Sequence, residues 1–221
     1  AQFAAKVAGW SNHAEAADAL SPSALAALAS ATNDRNSRTA YNTAGEVMYQ
    51  QDAVGRTVGY SYNAFGEATI TRQYANSGSW SAEGVYTPPR ATADDRRTAV
   101  VQDLENGVSY VVEAEGRVSA QYQDALGNVV RVVQFAAKVV GWSSHTEAAD
   151  ALSPSALAAL ADGSKDRAGR TAYNTAGEVL YQQDAAGRTV GYTYNAFGEA
   201  TITRQYASGG SWSVEGVYTP P

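Results

Sequence analysis

Few side chains in these 221 residues combine the types that do chemistry. The two histidines, His13 and His145, each stand two residues before a glutamate, Glu15 or Glu147. Such a pair could hold a metal or relay a proton, but a metal centre needs further ligands at matching spacing. No His-x-x-x-His pair and no acidic calcium loop accompanies them. In the first turn of a helix the same pair reads as a solvated cap. Asp52 and Asp184 offer two carboxylates for acid and base work. Each opens an Asp-x-x-Gly segment, where turn chemistry already explains an aspartate. Ser208-Gly-Gly-Ser211 is a flexible stretch, not a phosphate-cradling loop. No catalytic, cofactor-binding or metal-ligating set is therefore nominated. Aromatic rings remain: Trp10, Trp80, Trp142 and Trp212, with fourteen tyrosines. Rings on a polar sheet can stack on sugar faces, and Trp80 and Trp212 are the glycan-binding candidates. Cross-strand ladders, worth a few tenths to about 1 kcal/mol per pair, are the plainer use.

The elements that carry these residues are set by reversals. Tyr41 to Tyr74 contains Asn42-Thr-Ala-Gly45, Asp52-Ala-Val-Gly55-Arg56 and Asn63-Ala-Phe-Gly66, and Tyr173 to Tyr206 repeats it with Asn174, Gly177, Asp184, Gly187, Arg188, Asn195 and Gly198. Asp or Asn at the first turn position accepts a backbone N–H two residues on, and glycine supplies the left-handed angles that close the reversal. Between reversals the side chains alternate: Val58, Tyr60 and Tyr62 share one face, and Ala68, Ile70, Arg72 and Tyr74 share one face of the next strand. Further reversals are expected at Asn106-Gly107 as a two-residue hairpin, at Gly116 before Arg117, at Asp124 to Gly127, and at Asp166 to Gly169. In the first copy the last of these has drifted, leaving Asn36 or Ser37 to carry the strained angles. Arg56, Arg117 and Arg188 are placed to pair with turn carboxylates.

Gln2 to Pro89 aligns without a gap on Gln134 to Pro221, an offset of 132, with roughly five positions in six identical. The spans are a first partial period at 1–89, strands completing it at 90–133, and the second copy at 134–221, read as one continuous repeat domain. About fourteen strands are expected, with Trp80 to Tyr86 as one of them and Arg90 to Arg97 as the most linker-like stretch. A short helical hairpin enters once per period, at about 12–30 in the first copy. In the second, Ser144 to Glu147 forms a capping box, and Ser153-Pro154 caps a helix with Leu157 and Leu160 on one face. The opening Ala1-Gln-Phe-Ala starts mid-pattern, as in a piece of a longer chain.

Hydrophobic content of 44% suits a folded protein, and a net charge of −6 disfavours a nucleic-acid surface. Cysteine is absent, so neither a disulfide framework nor a thiolate metal site is expected. No apolar run approaches bilayer length, so this segment is not expected to insert into a membrane.

The pattern Tyr-Asn-x-x-Gly, Asp-x-x-Gly-Arg, Tyr-x-Tyr-Asn-x-x-Gly resembles the YD repeat of Rhs (rearrangement hot spot) proteins. It covers Arg38 to Tyr74, Asp103 to Val133 and Arg170 to Tyr206, with tyrosine before Asn42, Asn63, Asn174 and Asn195. It departs in having asparagine for aspartate in the Tyr-Asp pair, and Glu46, Glu67, Glu178 and Glu199 where arginine is usual. The resemblance implies a mainly β fold, an antiparallel meander winding into a spiral sheet or tube. It implies a structural role in a secreted or cell-surface bacterial protein: shell, tube or filament wall, as in Rhs, insecticidal-complex C-component and teneurin-like proteins. Implied partners are adjacent repeats of the same protein, with an enclosed toxin segment or surface glycans beyond them. The family's C-terminal core motif has no counterpart in these residues. A glycan-binding adhesin module is the alternative, and an enzyme the remote one.

Overall fold

The computed structural model of the chain describes residues 35–142, 152–213 and 218–220. The strand expected at Gln2 to Val7, the helical hairpin at about 12–30, the box at Ser144 to Glu147, Trp10, His13 and His145 lie outside them. Alternation of buried and exposed side chains makes the strands: Val108, Tyr110 and Val112 point inward from one, and Val118 and Ala120 from the next. In chain order the elements are β1 (Arg38–Tyr41), β2 (Val47–Gln51), β3 (Thr57–Tyr62), β4 (Ala68–Gln73), β5 (Ser79–Trp80), β6 (Tyr86–Thr87), β7 (Arg96–Asp103), β8 (Val108–Val112), β9 (Arg117–Gln123), β10 (Val129–Lys138), α1 (Pro154–Ala158), β11 (Arg167–Tyr173), β12 (Val179–Gln183), β13 (Thr189–Tyr194), β14 (Ala200–Gln205), β15 (Ser211–Trp212) and β16 (Tyr218–Thr219). Twelve strands form one antiparallel meander in the order β1-β2-β3-β4-β7-β8-β9-β10-β11-β12-β13-β14, while β5–β6 and β15–β16 are separate two-stranded hairpins.

The chain divides into two compact units, Ala1–Ser61 with Arg72–Asp94, and Tyr62–Thr71 with Asp95–Pro221. In the second unit Ala99, Val108, Tyr110, Val112, Val118, Ala120, Val133 and Phe135 form one buried cluster with Val139, Trp142 and Leu157. Ser153 caps α1, its Oγ accepting the Ala156 N–H at 3.2 Å. Leu157 is fully buried and Leu160 packs against the same cluster.

The reversal chemistry recurs at each junction. At the first, Asn42 Oδ1 accepts the Ala44 and Glu46 N–H groups at 3.0 and 2.9 Å. The Gly45 N–H reaches Asn42 O at 3.1 Å with φ +84°, a type I turn closed by a left-handed glycine and its bulge. Gly55, Gly66, Gly107, Gly116, Gly127, Gly177, Gly187 and Gly198 also take positive φ.

Five expectations are corrected. Gly169 lies inside β11 opposite Val132, without positive φ. The reversal comes earlier, where Asp162 Oδ1 accepts the Ser164 N–H at 3.0 Å, and Asp166 instead accepts the N–H groups of Ala136 and Asp162, each at 2.8 Å. The reason is that β10 runs on far enough to pair with Arg167–Arg170. Asn36 and Ser37 likewise carry no positive φ. Gly169→Ala is accordingly expected to be neutral or to raise stability by up to about 1 kcal/mol, because strand glycine costs unfolded-state entropy. A denaturant midpoint that fell clearly below wild type would contradict this.

Asn106-Gly107 is not a two-residue turn. β7 and β8 pair as far as Asp103 and Val108, leaving the loop 104–107, and Asn106 has no positive φ. The Asp103 carboxylate accepts the Asn106 N–H at 3.1 Å and its amide at 2.9 Å, which holds the longer loop. Trp80 to Tyr86 is a hairpin and not one strand: Ser81 Oγ accepts the Val85 N–H at 3.2 Å, and Gly84 takes φ +81°. Finally, Arg97 is no linker residue. It lies in β7 and is 4% exposed, because Trp142 gives its guanidinium a face to stack on.

Candidate functional site

Two features recur at equivalent places in both copies. The first is a side-chain pair that spans seven of the reversals. Asp52 Oδ2 takes Arg56 Nε at 2.9 Å, and Asp184 takes Arg188 at 2.7 Å. Where asparagine stands first, its amide donates to a glutamate: Asn42 to Glu46 at 2.6 Å, Asn63 to Glu67 at 2.8 Å, Asn174 to Glu178 at 2.6 Å and Asn195 to Glu199 at 2.7 Å. At Asp124 the partner is Asn128 Nδ2, at 2.9 Å. The position after the glycine must therefore complement the first residue, one donor and one acceptor. That explains both departures from the YD pattern together, since glutamate replaces arginine where asparagine replaces aspartate. Arg117 differs, pairing with Glu115.

Asn42→Asp thus faces Glu46 with a second carboxylate and is expected to cost about 0.5–1 kcal/mol, with Glu46→Arg restoring it. A double-mutant cycle with no coupling would refute the pairing.

These contacts also act on charge. The Asp184 pKa is held below the usual carboxylate value by the Arg188 backbone N–H, against desolvation, with the guanidinium and the Ala186 N–H adding to it. For Asp124 the Asn128 amide and backbone lower it. A lowered carboxylate contributes stability that is full above its unfolded pKa and lost as pH falls through the folded value. Carboxyl NMR titration should find Asp184 below an unstructured aspartate, and Arg188→Ala should raise it only in part, since the backbone donors remain. Carboxylates so engaged are poor bases, and each belongs to its own turn.

The second feature is aromatic. In the first unit Trp80 stacks obliquely on Tyr86 (centroids 4.8 Å), Tyr86 on Tyr49 (5.0 Å) and Tyr49 on Tyr74 (6.3 Å). Trp80 Nε1 donates to Gln51 Oε1 at 3.0 Å, the Tyr86 hydroxyl bonds Thr57 Oγ1 at 3.1 Å, and the Arg38 guanidinium stands 5.7 Å from the Trp80 ring centre. Gly59 makes room: a Cβ there would lie 3.0 Å from both Tyr49 and Tyr74. In the second unit Trp212, Tyr218, Tyr181 and Tyr206 repeat the stack at 4.9, 4.6 and 6.3 Å, with Arg170 over Trp212 and Gly191 between the tyrosines. Trp80 and Trp212 are thus half-buried members of packed clusters. Tyr49, Gln51, Thr57 and Gly59 were not singled out from sequence; a glycine inside an otherwise β-branched and aromatic strand was the available signal.

Beside each cluster lies a cleft. The first, about 580 Å³, is lined by Arg38, Gln50, Asp52, Arg56, Thr57 and Tyr74. The second, about 420 Å³, is lined by Gln182, Asp184, Arg188, Thr189, Gln205 and Tyr206. Among the described residues no group of three or more His, Asp or Glu is placed to hold a metal ion, and no helix is long and apolar enough to cross a membrane.

The strand order defines a mainly β, antiparallel meander protein, with almost no helix among the described residues. No family model and no curated protein matches the chain. Among solved structures it is similar to the crystal structure of TcdB2-TccC3-TEV, with a TM-score of 0.51 and 11% identity over 82% of this chain and 9% of that one. The crystal structure of TcdB2-TccC3-Cdc42 matches at a TM-score of 0.37 and 11% identity, over 83% of this chain and 11% of that one. The first likeness is one of fold, the Rhs-like β meander, and the chain spans about a tenth of that protein's length.

Proposed function

We propose that the chain is a structural repeat segment, a stretch of β-sheet wall in a YD/Rhs-type protein of the bacterial cell surface or exterior. One observation carries this reading. β10, which contains the start of the second copy at Gln134, pairs with β9 before it and β11 after it. The junction between periods is thus itself a pair of ladders, and each period lends its neighbour a strand. Repeats joined in this way gain stability with number, because every junction adds an interface. The same economy fits a wall that encloses a toxin segment or extends as a filament. Commitment of Trp80 and Trp212 to their tyrosine and arginine neighbours supports packing over glycan recognition.

The test is a series of chains with one, two and three 132-residue periods. Unfolding free energy and its denaturant dependence should both rise with period number. Periods that unfold separately at one common midpoint would refute the wall. A glycan array giving selective binding, lost on Trp80→Ala and Trp212→Ala, would favour the adhesin reading.

A further inference from the structure

Arg131 and Arg170 oppose each other across the ladder of β10 and β11, so their side chains leave one face of the sheet together. Both are half-buried. On the outer sides Tyr122 is paired with Arg131 and Gln183 with Arg170, so this row of four strands carries two cations and no anion. Among the described residues neither guanidinium forms an ion pair with a carboxylate. Arg131 stands 5.0 Å from the Tyr122 ring centre, and Arg170 5.7 Å from that of Trp212. Burial lowers the Arg170 pKa from its ordinary value, and the charge on Arg131 lowers it further.

The indole beside Arg170 brings another donor. Trp212 Nε1, like Arg131 Nε, is buried and has no hydrogen-bond partner. In the first copy the equivalent Trp80 Nε1 donates to Gln51 Oε1 at 3.0 Å. Like charges directly opposite on a sheet repel, and a buried donor without an acceptor is costly. All three groups donate and none accepts, so the ligand that answers them carries acceptors and negative charge. Guanidinium forks match the paired oxygens of oxyanions, and two cations call for two negative charges. We infer that Arg131, Arg170 and the Trp212 indole form a site for a tetrahedral dianion, a sulfate or phosphate group. The site is built from β9 to β12 and β15, and it stands whether or not the sheet is a wall.

The test titrates the whole chain with sodium sulfate at constant ionic strength, followed by NMR of the indole and arginine Nε protons. The Trp212 and Arg131 signals should shift together and saturate, while the Trp80 indole, already bonded, stays in place. Arg131→Gln removes the repulsion, so it should unfold at an equal or higher denaturant midpoint without sulfate, yet bind sulfate at least about tenfold more weakly. Arg131→Lys keeps the charge without the fork and should fall between the two. Bound sulfate should raise the wild-type midpoint beyond the general salting effect seen in Arg131→Gln. Lack of saturation, an equal shift at Trp80, or an equal response of wild type and Arg131→Gln would each overturn the inference. Acetate binding as tightly as sulfate would overturn the assignment to a dianion. A sulfated monosaccharide that binds more tightly than sulfate would identify the group as an ester, and one that binds less tightly as the inorganic ion.

Discussion

Gly116→Ala is expected to lower the unfolding free energy by about 3 kcal/mol. Two costs meet there. Gly116 takes φ +77°, where a side chain crowds its own backbone. In addition, an added Cβ would lie 2.7 Å from Val139 O and 3.5 Å from the Trp142 Cβ. The first of these is a backbone atom, and it is not free to move, because the Val139 N–H donates to Gly116 O at 2.8 Å. Gly127 provides the control. It has φ +83° and nothing within 4 Å of an added Cβ, so Gly127→Ala should cost only the backbone term, about 1 kcal/mol. Denaturant unfolding of the two variants separates the terms, and equal losses would mean that the approach of Val139 to Gly116 is not close in solution.

Trp142→Ala is expected to cost about 3–5 kcal/mol. The ring is 5% exposed within the main cluster, and its Nε1 donates to Arg97 O at 3.2 Å. The Arg97 guanidinium centre stands 4.5 Å from the ring, and its Nη2 donates to Trp142 O. Removing the ring opens a cavity and takes away the face against which a buried cation is held, and a buried charge deprived of a partner is costly. Trp142→Phe should keep most of the packing and lose the indole bond, at about 1 kcal/mol. If Trp142→Ala cost no more than a surface substitution, about 0.5 kcal/mol, the buried Arg97–Trp142 contact would not form part of the core.

The aromatic hairpins show where local chemistry stops short. Ser81 and Gly84 have the same spacing as the other reversals, but serine is a weaker turn former than aspartate. The two-residue strands flanking them depend on Gln51, Thr57 and Tyr49, residues distant in the chain. Arg97 shows the same limit from the other side. An arginine in a charged, threonine-rich run reads as solvated, and only Trp142, brought to it by the meander, makes burial tolerable. At Asn106 a neighbouring side chain, Asp103, outweighed the intrinsic preference of Asn-Gly for a tighter turn.

What the sequence determined by itself was the meander. An Asx residue, a glycine three residues on and alternating side chains between them act within ten residues, so their outcome needs no distant partner. The tertiary structure decided which strand each edge meets, where Gly169 became strand and Asp162 the turn, and that Trp80 and Trp212 pack on Tyr86 and Tyr218. Those outcomes are set by the continuation of β10 into the second copy and by rings contributed from several strands. Contacts of that range are written in no single stretch of residues.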